Sequence, residues 1–324
     1  MFKKFLIHTK VFGLRYAVLE ALALIDLKLC NRMHVRPNKR LRSLRKTFVH
    51  DWLISFLAPL IESYQKRPAR ESTASPAQSC YVWVCWLQGL ASAPDRIKRL
   101  VDRISKMSGG RTVVILDEAA IRDYCDLPDI IWEKYANGVI TQQQFTDIVR
   151  CALLASRGGL WADSTLLVTS PIPDCVFSND TWCIKGLNSE SEGSGFVPYF
   201  SEWQSYFVAS QPSSVTYQFL YESLVYYWRK MDTNIDYFLL FYLSKIAREM
   251  IPAASEEYAK IPENNVNCEM LAPRFYDSTP VAEEDVRSFF ENSGTYVYKL
   301  SWRAKYAVGG RGPSYYDRVR ELYL

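Results

Sequence analysis

The stretch Asp147–Thr165 of this 324-residue chain, DIVRCALLASRGGLWADST, concentrates side chains able to do chemistry. Asp147 and Arg150 are three apart, so on a helix they share one face as an acid–guanidinium pair. Gly158-Gly159 then permits a tight turn and close backbone approach. Asp163 and Thr165 follow two apart, on the same side of a strand expected over Leu160–Val168. A polar Asp-x-Thr at the end of a buried strand is costly unless something binds there. All three histidines, His8, His34 and His50, lie in the first fifty residues, which excludes an imidazole-based hydrolase or a His-ligated zinc centre further along. The chemistry must therefore use carboxylates, hydroxyls, Arg or Lys, backbone groups or a hard metal ion.

The elements that position these residues follow from hydrophobic patterning. Cys80–Leu87 is a short continuous apolar run rich in β-branched and aromatic residues, which predicts a buried strand. Helical spacing over Pro94–Met107 and a second apolar strand, Thr112–Leu116, come next. Two helical pieces, Glu118–Tyr124 and Pro128–Tyr135, precede a helix over Thr141–Ser156. Residues 200–260 read as mostly helical, with a late strand at Tyr296–Leu300. Apolar strands alternating with helices predict a parallel sheet covered on both faces, with right-handed connections. Ligands bind beyond the carboxyl ends of such strands, where Trp86, Gln88, Asp117 and Asp163 all lie.

Charge is unevenly distributed. Residues 1–70 hold fifteen Lys/Arg against four Asp/Glu, whereas the rest of the chain is net acidic. The basic run Arg32, Arg36, Lys39, Arg40, Arg42, Arg45 and Lys46 lies between the apolar segments Phe12–Leu29 and Trp52–Ile61. Charges break the first, and the second is too short to span a bilayer. Two readings of this region stand side by side: helices packed on the main domain, or an interfacial attachment to an anionic cytoplasmic leaflet. Nucleic acid is not expected, because no groove-reading motif accompanies the charge. The eight cysteines form no CxxC pair, which reads as reduced buried thiols. The Pro- and Ser-rich segment Arg67–Ser79 is the expected boundary between a basic helical extension (1–70) and a main domain (80–310), followed by a tail (311–324).

The pattern D-x-x-R, Gly158-Gly159-x-Trp161-x-Asp163-x-Thr165 resembles the capsular polysaccharide synthesis glycosyltransferases. These are relatives of the α-1,6-mannosyltransferases and, more distantly, of the clostridial glucosylating toxins. Val82–Gly89 (VWVCWLQG), Val225–Lys230 (VYYWRK), Ile235–Phe238 (IDYF) and Lys299-Leu300-Ser301-Trp302 extend the resemblance over residues 80–305.

The resemblance implies a GT-A-like α/β fold, with a mostly parallel sheet flanked by helices and a helical amino-terminal extension. It implies transfer of a sugar from a nucleotide-sugar donor to a surface polysaccharide or a lipid-linked glycan acceptor, with retention of anomeric configuration. The localisation expected with it is cytoplasmic, peripheral on the cytoplasmic face of the inner membrane. Trp86 would offer a face to the base, with Gln88 and Asp117 beside it. Asp147 and Arg150 would hold the donor sugar. Gly159 and Thr165 belong to the same binding set. Asp163 would ligate Mn²⁺ or Mg²⁺ at the diphosphate. Lys299, Ser301 and Trp302 resemble a late segment that closes over the diphosphate. Many relatives carry Asp-x-Asp where this chain has Asp163-Ser164-Thr165, and a neutral hydroxyl is the weaker metal ligand. The alternative is a non-catalytic donor-binding or scaffold subunit of a polysaccharide assembly complex.

Structural roles compete for several of these residues. Trp86 could be core packing, Asp117 a helix cap, Asp147–Arg150 an exposed helix pair, and Gly158-Gly159 a helix end. Asp236 reads equally as an acceptor contact or a helix cap. Trp228 and Tyr237 read as core.

Overall fold

The computed structural model describes residues 2–33, 37–67, 81–188, 197–212 and 214–324. His34, Arg36, Cys80 and nearly all of the boundary expected at 67–79 lie outside the described residues.

Four helices come first: α1 (Phe2–Phe12), α2 (Leu14–Met33), α3 (Lys39–Phe56) and α4 (Ala58–Gln65). Gly13, at φ +88°, separates the first two. A side chain there would be strained, and the break lets α1 fold back along α2. Lys4 then reaches Glu20 at 3.2 Å, and the His8 ring packs on Tyr16. Asn38 caps α3 by accepting from the Arg40 and Leu41 amides. The inner faces of these helices join the core of the rest of the chain through Tyr16, Val49, Leu53 and Tyr64.

The main sheet begins with β1 (Tyr81–Cys85), α5 (Asp95–Met107) and β2 (Thr112–Leu116). Helix α5 buries Ile97, Leu100, Val101 and Ile104, one stripe at helical spacing. Each buried side chain is worth about 1.5–3 kcal/mol. The exposed Asp102–Lys106 pair on the same helix adds at most about 0.5 kcal/mol, so burial sets its orientation. Next come α6 (Glu118–Tyr124), α7 (Asp129–Ala136), α8 (Gln142–Ser156) and β3 (Gly159–Ala162). A reciprocal capping box between Thr141 and Gln144 starts α8.

The remaining elements are β4 (Leu166–Val168), α9 (Cys175–Ser178), β5 (Thr181–Cys183), β6 (Phe207–Ser210), α10 (Val215–Lys230), α11 (Leu239–Met250) and α12 (Pro252–Ala259). After them come α13 (Glu283–Asn292), β7 (Val297–Lys299) and α14 (Tyr315–Tyr323). The sheet order is β2-β1-β3-β6-β5. Strand β1 is parallel to β2 and β3, while β6 is antiparallel to both β3 and β5. Four of its five strands thus run one way, and the helix-flanked sheet agrees with the GT-A-like arrangement.

One expectation needs correction. Leu160–Val168 is not one strand. The chain turns at Asp163–Thr165, where the Leu166 amide bonds the Asp163 carbonyl at 3.1 Å. Strand β4 then leaves the main sheet and pairs antiparallel with β7, placing Leu166 opposite Lys299. Residues 311–324 end in α14, which buries Tyr315, Asp317 and Val319. The seven cysteines among the described residues are all free thiols.

Candidate functional site

A large cleft, about 2270 Å³, lies beyond the ends of β1 and β3. Trp86, Gln88, Arg150, Asp163, Thr165, Lys299, Ser301 and Trp302 all line it. Three candidates do not. The Asp117 carboxylate accepts the Ala120 amide at 2.8 Å, so it is occupied as the cap of α6. Gly159 is spent on backbone geometry, pairing with Ser210. Its neighbour Gly158 sits at φ +65°, where an added Cβ would lie 2.7 Å from the Ser210 carbonyl and from Pro212. Asp147 is buried behind the cleft wall and acts through Arg150, whose Nη1 it binds.

The centre of the site is a cluster of four charges. Arg150, 2% exposed, is gripped by Asp147 and lies 3.5 Å from Asp163 Oδ1. The Trp161 indole donates to Asp163 Oδ1 at 3.0 Å, and its ring carries the Arg150 guanidinium 4.8 Å from the centroid. Lys299 Nζ donates to Asp163 Oδ2 at 2.7 Å and to Thr165 Oγ1 at 2.8 Å. Asp163 and Thr165 therefore do meet one partner, through a turn and not through strand alternation. Burial alone would push the Asp163 carboxyl up, but Lys299 and Arg150 more than offset it and hold it below the ordinary range. For Asp147 burial wins: its carboxyl is raised even with Arg150 bound.

This donor set does not fit a divalent cation. Asp163 is the one carboxylate at the turn, and both its oxygens already serve cationic or indole donors. A divalent ion on Asp163 would also sit beside the Lys299 ammonium, a like-charge contact. Mn²⁺ or Mg²⁺ at Asp163, the expectation from the resemblance, thus meets an ammonium already in the position.

The cluster leaves donors unspent. An ammonium has three N–H groups, of which Lys299 uses two here. Arg150 Nε is buried with no hydrogen-bond partner among the described residues, a cost a bound oxygen would relieve. At the cleft's other flank Trp86 and Trp302 meet edge to face, ring centroids 5.8 Å apart, with Trp302 about half exposed. The Arg303 guanidinium lies 4.9 Å from the Trp302 centroid.

Several lining residues escaped the sequence reading. Tyr237, expected in the core, is 59% exposed in the cleft. Trp161 was a motif position without an assigned role, and Arg303 carried no distinguishing local signal beyond the motif beside it. The amino-terminal helices also line the cleft, through Leu24, Leu27, Lys39, Arg42 and Lys46. Asp236 is buried, accepts the Phe238 amide at 2.8 Å and pairs with Arg45 at 2.7 Å, so it caps a turn and anchors α3. Trp228 is core.

Comparison with known proteins places this geometry in a family. Residues 31–319 match the family described as capsular polysaccharide synthesis protein, and the chain belongs to that family. The match begins at residue 31, so α3 and α4 fall within the family region and not outside it. No curated protein matches the sequence. A solved structure titled PaToxG Glycosyltransferase is 13% identical, covers 68% of this chain and 90% of its own, and superposes with a TM-score of 0.38.

Proposed function

We propose that this member of the capsular polysaccharide synthesis family is a glycosyltransferase that moves a sugar from a nucleoside-diphosphate donor to a glycan or lipid-linked acceptor. The observation that carries this reading is the convergence in one cleft of an aromatic pair with Arg150, Asp163 and Lys299, backed by the buried Asp147. The relation to the mannosyltransferases and glucosylating toxins, and retention of anomeric configuration, belong to the same proposal.

The Trp86–Trp302 pair takes the flat base, since an indole offers a large rigid apolar face. The diphosphate falls between that pair and the cluster, where the third Lys299 N–H and the Arg303 guanidinium answer its charge. Arg150, fixed from behind by Asp147, sets its guanidinium charge at the cleft wall, where a sugar or phosphate oxygen would meet it. As the bond to the anomeric carbon lengthens, negative charge builds on the leaving phosphate. Donors already oriented there stabilise it without reorganising, the term that usually contributes most in such steps. Asp163 holds Lys299 and Arg150 in register and offers negative charge to the developing oxocarbenium ion. No imidazole is required.

The test is titration of the full chain with nucleoside diphosphates, with and without Mn²⁺, followed by a transfer assay on the best-bound nucleotide sugar. Binding without any turnover would favour a scaffold subunit, a reading supported by the full engagement of both Asp163 oxygens. Absence of binding would refute both.

A further inference from the structure

Helices α1 and α2 present an outer surface of unusual composition. On α2 the residues Leu14, Val18, Leu22, Ile25, Leu29 and Met33 recur at helical spacing, and each is between 41% and 65% exposed. On α1, Phe2, Leu6, Ile7 and Val11 continue the apolar surface. At 1.5 Å per residue the α2 stripe runs about 30 Å. It lies on one side of the helix, bordered by Arg15 on one edge and Lys28 on the other.

Among the described side chains of these two helices, every exposed one is apolar or basic; the basic ones are Lys3, Lys4, Lys10, Arg15, Lys28 and Arg32. Of the two acids present, Glu20 faces away from the stripe, while Asp26 lies at its Arg15 edge, partly exposed. Glu20 is buried against Lys4 and Arg45, and Asp26 accepts the Asn38 amide at 2.9 Å. A water-facing helix pair would mix both signs of charge over its surface, and a core-facing stripe would be covered. This one is neither.

We infer that the outer face of α1 and α2 lies on an anionic lipid bilayer, with its apolar stripe at the acyl boundary and its lysines and arginines among the headgroups. Charge selects this occupant. A second copy meeting the same face across a two-fold axis would set these cations against one another, whereas anionic headgroups complement them. Contact is interfacial: among the described residues no helix is long and apolar enough to cross a membrane.

The opposite side of α2 carries the consequence. Ala23, Leu24 and Leu27 line the cleft, together with Lys39 and Arg42. Helix α2 is thus the partition between bilayer surface and cleft. Resting on the transferase reading, a lipid-borne acceptor would reach the cleft from the membrane past Lys39 and Arg42.

The experiment is co-sedimentation of the full chain with vesicles of phosphatidylglycerol and phosphatidylcholine in equal parts, and with phosphatidylcholine alone. The native chain should partition onto the anionic vesicles. Leu22→Glu/Ile25→Glu/Leu29→Glu, all at exposed positions, should weaken that partitioning by roughly tenfold or more. Lys28→Glu/Arg32→Glu should remove the preference for anionic lipid and its salt sensitivity. Native chain left in the supernatant, or a triple variant that partitions like the native, would overturn the inference. So would light scattering that shows a native dimer dissociated by the triple variant. Nucleoside-diphosphate titration separates the two proposals: the triple variant should bind as the native does, and loss of nucleotide binding in every form would sink the transferase reading alone.

Discussion

Lys299 and Asp163, 136 residues apart in sequence, meet at 2.7 Å because β7 pairs with β4 directly after the turn that carries Asp163. The ammonium holds Asp163 Oδ2, a carboxylate oxygen that a divalent ion at this turn would need. Excess chelator should therefore leave sugar transfer unchanged. Lys299→Ala should lower kcat by about 10²–10³, the cost of removing one preorganised electrostatic stabiliser. It should also make the enzyme respond to added Mn²⁺, because Asp163 is then free to accept it. A native enzyme silenced by chelator would contradict the assignment.

Asp147 and Arg150 are not an exposed helix pair: their side chains are 9% and 3% exposed. Asp147→Asn keeps the shape but strips a buried guanidinium of its main partner, a change that costs about 3–5 kcal/mol. A substantial fall in melting temperature is expected alongside lost turnover. Asp163→Asn, whose side chain and Lys299 partner are each more than a quarter exposed, should cost less stability for a comparable loss of rate. Thermal melts of the two variants beside their transfer rates check the ordering.

Trp302 is about half exposed and Trp86 partly buried, so the indoles can be removed without opening the core. Stacking on an aromatic ring is worth about 1–3 kcal/mol per base. Trp302→Ala and Trp86→Ala should each weaken nucleoside-diphosphate binding by about 10–100-fold in calorimetric titration. The melting temperature of Trp302→Ala should stay native.

Much of this arrangement was legible in the residues. Helix α5, strand β2 and helix α8 stand within a residue or two of their expected bounds, because each has an apolar stripe or run closed by a cap or by glycine. What was not legible depends on distance or on symmetry. The Asp-Ser-Thr interruption in an apolar run does not say that the strand beyond it joins another sheet; only its pairing with Val297–Lys299 decides that. The partner of Asp163 was likewise hidden, since nothing near residue 163 specifies a lysine so far along the chain. Helix α2 is apolar on two sides, one toward the core and cleft and one outward, so periodicity could not tell which side was covered.

Arg45 ties α2 and α3 to the rest of the cleft by bonding Glu20 at 2.5 Å and Asp236 at 2.7 Å. Burial raises the Asp236 carboxyl even beside this cation; at Glu20 burial also pushes up, but Arg45 and Lys4 more than offset it and hold it low. Arg45→Met should destabilise by about 3–5 kcal/mol at neutral pH and drive both carboxyls upward. A carboxyl raised in the folded state stabilises fully below its unfolded value of about 4, and that contribution is lost as pH rises through the folded value. The melting deficit of the variant should therefore shrink as pH falls from 7 toward about 4. A deficit that grows on acidification would contradict the role given to Arg45.

Because Lys299 comes to Asp163 only through β7, a ribosome must add well over a hundred residues after the turn before the ammonium can reach it. A nascent chain that has folded β1 to β3 would already have Trp86, Arg150 and Asp163 in hand, yet would lack the cation that holds the turn. The four-charge cluster is thus completed by translation order, its cation arriving 136 residues behind the acid it holds.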